Sequence, residues 1–496
     1  MKPLHSLPRI TVDGLSLPDS LRLSAVKVSQ CLNAPSQCVV TWHSATPDPE
    51  VLESAQPPPG STLKVMLDEQ PAPLFLGEVG GVEYEHQPSG ALHIHVRAYD
   101  PMIVLQRQQT RETQVDVTMA DLLRTLVERG ELSVSSAASG GPVWPRVIQR
   151  FPHDLALLRH YGARCGLHFY CEEDGVRLFS LEREGDGALP LTLGHNLLEC
   201  RLEQNATRPL SGVDVMAWNC HTGESQSGQS ESGGRTEPGS RREVLGTLFE
   251  SQGEVEARAN AHWQRHAMER EVFWGVVEGH VDYKPGAAVA VNGVAGGLSG
   301  NYVLTRATHR IDAESGYLTE VSSRLEPVEP EPPAPGLVTG EVRDVDDPQE
   351  RGRVQVVMPS YGDAAGTWML VLQLGAGEEK GLVSLPEVGD RVLVALPDND
   401  PSRGLVLGGL YGEAGPPLES GKSGREQHFP YILKTRGGQR LRLHDKDNSI
   451  RLENANGSYL SLTPSGIELH AEGDLILEAP GQSMRLTGDQ IDFRRG

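Results

Sequence analysis

The chain has 496 residues, room for roughly two to four domains with real cores, and a formal charge of −22. That acidity argues against a nucleic-acid partner, because phosphate binding needs clustered Lys and Arg. With 55 Gly, 35 Pro and only 5% aromatic residues, the composition predicts a mainly β protein with a few helices.

Met1 to Pro8 shows no basic-then-apolar leader, and no run of about 18 apolar residues occurs anywhere. The expectation is synthesis in the cytoplasm without a signal peptide or a membrane-spanning helix. Six cysteines, at 31, 38, 165, 171, 200 and 220, include no C-x-x-C pair and read as reduced thiols.

Strand patterns divided by turn formers occupy 21–30, 38–42, 62–67, 75–84 and 92–99. Thr118 and Asp121 make a capping-box-like start to a helix whose apolar face is Met119, Leu122, Leu123, Leu126 and Val127, and Gly130 stops it. A second helix is predicted over 154–163 and a third over 254–270. Between them, residues 219–242 are Ser, Gly and Gln without apolar periodicity, which predicts a mobile loop. The proline-dense stretch 327–336 predicts an extended linker closing a first domain, 1–326.

Residues 337–416 hold short strand patterns at 337–342, 352–358, 368–372, 381–384, 391–395 and 404–410. So many short strands in so little sequence predict a small Greek-key barrel of the OB type.

The last segment, 417–496, repeats one unit: an apolar residue, any residue, another apolar residue. The pairs are Leu441/Leu443, Ile450/Leu452, Leu460/Leu462, Ile467/Leu469, Leu475/Leu477, Met484/Leu486 and Ile491/Phe493, with turn formers between. Each pair is a strand with one apolar face, and one chain has no second layer to cover such faces. Three copies wrapped about an axis would supply it, with these fourteen residues as the core of a β-prism needle. Residues 421–496 carry 11 Lys+Arg against 10 Asp+Glu, so the acidic excess lies elsewhere.

Two passages give a family resemblance. GEVRDVDDPQERGRVQVVMP (340–359), then Trp368, then LPEVGDRVLVALPDNDPSRGLVLGGLYGEAGPP (385–417) resembles, in order, the OB-fold signature of VgrG-type spike proteins and their kin in type VI secretion, phage tails and extracellular injection particles. ITVDG near residue 10, VRAYD (96–100), the helix at 119–129 and KPGAAVAVNGVAGGLSGNYVLTRATHRI (284–311) resemble the same family's hub.

The resemblance implies a homotrimer whose β-barrel-like hub lobes fit a hexameric inner tube, an OB barrel, and a triple-stranded β-helix or prism needle. It implies tube and baseplate proteins as hub partners, a PAAR-type tip protein on Phe493, Arg494, Arg495 and Gly496, effector cargo, passing contact with the target membrane, and delivery outside the cell on contraction. The ten-residue linker leaves no room for the muramidase domain of some phage relatives. The end at Arg495-Gly496 resembles extracellular particles more than an extended type VI spike.

No chemistry outweighs that reading. H-E-x-x-H and G-x-S-x-G are absent. His262 and His266 share a helix face without a third ligand, and His444 and His470 read as solvated needle positions, although threefold symmetry could bring axial residues together around an ion. Asp344, Asp346 and Asp347 read as a solvated turn, and Gly293 to Gly300 matches no phosphate loop. The expectation is no catalytic residue, no cofactor and no metal ligand. The alternatives are a spike-associated cell-wall hydrolase and a glycan-binding adhesin of the tail-fibre kind.

Overall fold

The computed structural model describes residues 9–12, 21–45, 58–67, 72–138, 141–173, 175–181, 187–205, 210–219, 224–231, 240–248, 251–295, 297–327, 336–361, 366–412, 415 and 431–494. The chain forms two compact units, Met1–Gly409 and Leu410–Gly496. Most of the linker 327–336 and most of 412–430 lie outside the described residues.

The first unit is built on a ten-stranded sheet. Its spatial order is Arg9–Val12, Thr62–Met66, Phe75–His86, Leu92–Tyr99, Gln37–Ser44, Arg22–Cys31, Arg306–Asp312, Gly316–Ser322, Glu271–Glu278 and Leu197–Gln204. Every neighbouring pair is antiparallel. Strands from both ends of the hub sequence therefore meet where Arg22–Cys31 pairs with Arg306–Asp312. Strict alternation drives this: Cys38, Val40 and Trp42 are buried with Ile94 and Val96 on one side of the sheet, while Thr41, His43 and His95 stay on the other.

A helical lobe packs its own core. The helix Met119–Arg129 starts with the expected capping box, Asp121 N–H donating to Thr118 Oγ1 at 3.2 Å and Thr118 N–H to Asp121 Oδ2 at 3.2 Å. All five residues of its expected apolar face are buried, against Trp144, Leu155, Leu158 and Phe169. The helix Asp154–Cys165 is capped by His153, whose Nδ1 accepts from Ala156 N–H at 3.1 Å. It ends at Gly166, in the left-handed conformation with φ 69°, where a Cβ would lie 2.6 Å from Gln264 Oε1 of the third helix. Glycine suits both the left-handed cap and the close approach of Ala261 Cα, 3.3 Å from that Cβ position.

One expectation fails inside this unit. The stretch 219–242, expected to be a structureless loop, contains the strand Glu224–Glu231, paired antiparallel with Leu210–Asn219, which also pairs with Ser240–Leu248. This sheet packs Val213 and Val215 on Val255 and Ala259 of the helix Gln252–Arg270. Its inward position is Gly228, where a Cβ would meet Val255 backbone at 2.7 Å. A strand whose packing face is Gln226, Gly228 and Ser230 carries no hydrophobic period, so the pattern could not show it.

The OB barrel closes from Leu337–Asp344, Val354–Val357, Thr367–Val371, Leu405–Leu410 and Arg391–Ala395 around Val342, Val354, Val392, Val394 and Val406. The expected strand at 381–384 is a loop instead. Gln373 takes the place of a ladder there, its side chain accepting from Ser384 N–H at 3.0 Å and donating to Ser384 O at 3.1 Å, and Val383 is left 81% exposed.

The second unit is an antiparallel five-stranded meander: Tyr431–Lys434, Arg440–His444, Ser449–Glu453, Tyr459–Thr463 and Gly466–His470. Strands are present at the first four apolar pairs. Leu475/Leu477, Met484/Leu486 and Ile491/Phe493 carry no regular secondary structure in the single chain, because an isolated strand needs a neighbour to satisfy its amides.

Candidate functional site

The meander is two-faced. Its registers set Leu433 beside Leu441, Leu452, Leu460 and Leu469 in one row across five strands, and Tyr431 beside Leu443, Ile450, Leu462 and Ile467 in a second. Both rows lie on one face, which stays open among the described residues: Leu441, Leu460 and Leu462 are half-buried, while Leu443, Ile450, Leu452 and Leu469 are exposed and Ile467 is 74% exposed. Leu475, Leu477, Met484, Leu486 and Ile491 are exposed too, and Phe493 is 87% exposed. Arg494 contacts Asp492 at 3.2 Å. Arg495 and Gly496 lie outside the described residues.

The opposite face is ionic. Glu453 pairs with Arg440 at 3.1 Å and Arg451 at 3.0 Å, and Arg440 first, then Arg451, holds its carboxyl below the usual range. Arg451 lies 3.8 Å over the Tyr459 ring, whose hydroxyl donates to Glu468 at 2.8 Å and whose ring stacks on His470. His444 contacts Asp447 at 3.1 Å. Water suits this face and not the other.

The hub and barrel of the first unit meet through a buried charge cluster. The barrel contributes Asp398-Asn399-Asp400-Pro401. Asp398 and Asn399 adopt φ of 52° and 55°, a left-handed turn that Asp and Asn tolerate better than most residues. Arg150 of the hub donates to the Asn399 carbonyl at 3.1 Å. Arg403 Nη2 donates to both oxygens of Glu254 at 2.8 Å, and Arg164 Nη2 donates to Glu254 Oε1 at 2.6 Å. Burial pushes the Asp400 carboxyl up, but Arg403, Arg164, the hydrogen bond from Ser402 Oγ and Arg150 together overrule it and leave it lowered. Sequence reasoning singled out the hairpin as a family mark and missed Glu254, whose partners are distant in the chain.

The acidic turn of the barrel is also not the solvated one expected. Asp347 accepts backbone N–H bonds from Gln349, Arg351 and Arg353 and a bidentate contact from the Arg353 guanidinium, with a closest distance of 2.7 Å. Its side chain is shielded and its carboxyl is held far below the ordinary range, chiefly by Arg353. Asp344 and Asp346 stay outside that cage.

The histidines divide by burial. His309 is fully buried, its Nδ1 within 3.0 Å of Tyr317 Oη and Thr319 Oγ1, and burial lowers its pKa to about 3. His262 is lowered to about 4, and His266 packs on Trp263. No described helix is long and apolar enough to cross a membrane.

Residues 5–313, well over half of the chain, match the Alg8 N-terminal domain family. The chain belongs to that family. Residues 338–411 match the type VI secretion system/phage-baseplate injector OB domain, which supports the resemblance of the barrel to that of VgrG-type spike proteins. The fold is similar to that of the E. coli c3393 protein, described as a type VI secretion component resembling the T4 tail proteins gp27 and gp5, with TM-score 0.56, 14% identity, and coverage of 81% of this chain and 100% of that one. It is also similar to a chain of the half-lidded Francisella PdpA-VgrG complex, with TM-score 0.54, 8% identity, and coverage of 90% and 83%. At such identities the structural likeness speaks for fold alone.

Proposed function

We propose that this chain is the central spike of a contractile injection apparatus, acting as a homotrimer and without enzymatic activity. The observation that carries the proposal is the needle sheet: two complete cross-strand apolar rows on one face, left open among the described residues. Burying such rows stabilises by about 25 cal/mol per Å² of apolar surface, and three walls facing inward would bury all of them with no open sheet edge. The unpaired segment 471–494 would gain its strand partners from neighbouring copies in the same step.

In this reading the hub seats on the hexameric inner tube and baseplate, the barrel joins hub to needle, and the exposed end around Phe493 and Arg494 carries a PAAR-type tip protein, with effector cargo loaded on the spike. Sheath contraction supplies the work that drives the needle through the target envelope. The charge joint between hub and barrel would keep thrust from bending the molecule there.

The mass of the full-length protein under native conditions tests the proposal. Three chains are expected, persisting on dilution, and a folded single chain in dilute solution would overturn it.

A further inference from the structure

Away from needle and joint, one surface of the hub gathers histidine. His43 of Gln37–Ser44 lies directly opposite His93 of Leu92–Tyr99, and His93 lies opposite Glu85 of Phe75–His86. The next row on the same face is Thr41, His95 and Glu83. The intervening Trp42 and Ile94 point into the core, so this face is the outer one.

The rings are close. His43 and His93 have centroids 4.8 Å apart, and His93 and His95 6.3 Å apart. His95 Nε2 is 3.4 Å from Glu85 Oε2, and its Nδ1 is 3.0 Å from Thr41 Oγ1. Two imidazoles holding one ion at about 2.0–2.1 Å place their ring centres about 5 Å apart, the spacing of the His43/His93 pair. Three adjacent strands fix these positions, which removes much of the entropy a chelate would otherwise cost.

We propose that His43 and His93 chelate a divalent transition ion of the zinc class, with Glu85 completing the set as a third ligand by a change of rotamer. Neutral imidazole and carboxylate suit zinc, cobalt and nickel better than calcium or magnesium. As the side chains stand, no three His, Cys, Asp or Glu groups among the described residues form a ready-made cage, so the imidazole pair engages first. Arg22 pairs with His43 on the far side and biases the cation toward Glu85. His95, oriented by Thr41, supports Glu85. The bound ion would pin three strands of the hub sheet together, and the site stands independently of the oligomeric reading.

Calorimetric titration of the full-length protein with zinc chloride, repeated with cobalt chloride, tests the site. One equivalent per chain is expected, bound about tenfold or more weaker by His43→Ala and by His93→Ala, and unchanged in His280→Ala, which lies outside the row. Zinc should raise the melting temperature of the parent and not of the doubly substituted protein. Circular dichroism confirms that each variant is folded, and His93→Gln replaces any that is not. Absence of binding, or binding equally tight in folded His43→Ala and His93→Ala, overturns the proposal.

Discussion

Arg403 of the barrel and Glu254 of the hub are 149 residues apart in sequence, yet one guanidinium nitrogen of Arg403 sits 2.8 Å from both carboxylate oxygens of Glu254. Arg164 closes on the same carboxylate from the neighbouring helix. Both side chains of the Arg403–Glu254 pair are less than a tenth exposed.

Replacing Glu254 with Gln should therefore cost about 3–5 kcal/mol, because it removes the carboxylate that two water-shielded guanidinium groups share and leaves Arg403 the longer contact to Asp400 at 3.7 Å. Denaturant unfolding measures it. The barrel should also loosen from the hub, so the transition of the variant should broaden or split where the parent unfolds in one step. A variant within 1 kcal/mol of the parent, on the order of an exposed pair, would show that the cluster does not hold the joint.

Leu460→Asp with Leu462→Asp should abolish the trimer while leaving the hub folded. Each substitution would put three carboxylates at one level of an apolar axis. Light scattering reads the mass, and an intact trimer from the double variant counts against the inward orientation of the rows.

Stability of the first unit should fall as pH drops from about 6.5 to 4. Burial holds His309 and His160 down to about 3, and His168 and His262 down to about 4. The unfolded chain binds protons at these positions that the native state refuses, so stability present above the ordinary histidine value is lost on acidification. Asp100 acts oppositely: burial raises it to about 7, so its contribution falls as pH rises from about 4 to 7. Four groups outweigh one. Melting temperatures across this range check the slope, and a flat profile would contradict the burial of these rings.

Asp347→Asn should destabilise the barrel by about 1–3 kcal/mol, since it weakens a charge-assisted bidentate pair while leaving the loop amides in place. Thermal unfolding checks it, and the difference from the parent should shrink as pH falls below about 4, because Arg353 keeps the native carboxyl ionised while the unfolded chain binds the proton.

Much of the hub and barrel was legible because hydrophobic period and capping chemistry are local. The Thr118/Asp121 box and the alternation at 38–42 each specify their element within a few residues. Glu224–Glu231 escaped because its inner face is Gln226, Gly228 and Ser230, which have no hydrophobic signal to repeat. Residues 381–384 misled in the opposite way: Leu382 and Val383 look like a strand, but the side chain of Gln373 occupies the backbone groups of Ser384 that a neighbouring strand would need.

By itself the sequence determined the β-rich class, the barrel, the helices and the one-sided apolar pairs of the needle, since all of these are periodicities within single segments. Only the tertiary structure decided that Glu254 faces Arg403, that Asp347 is caged by Arg353, and that His43, His93 and Glu85 share one row. Those relationships depend on turn geometry, strand register and helix and barrel packing, none of which leaves a periodicity within a single segment.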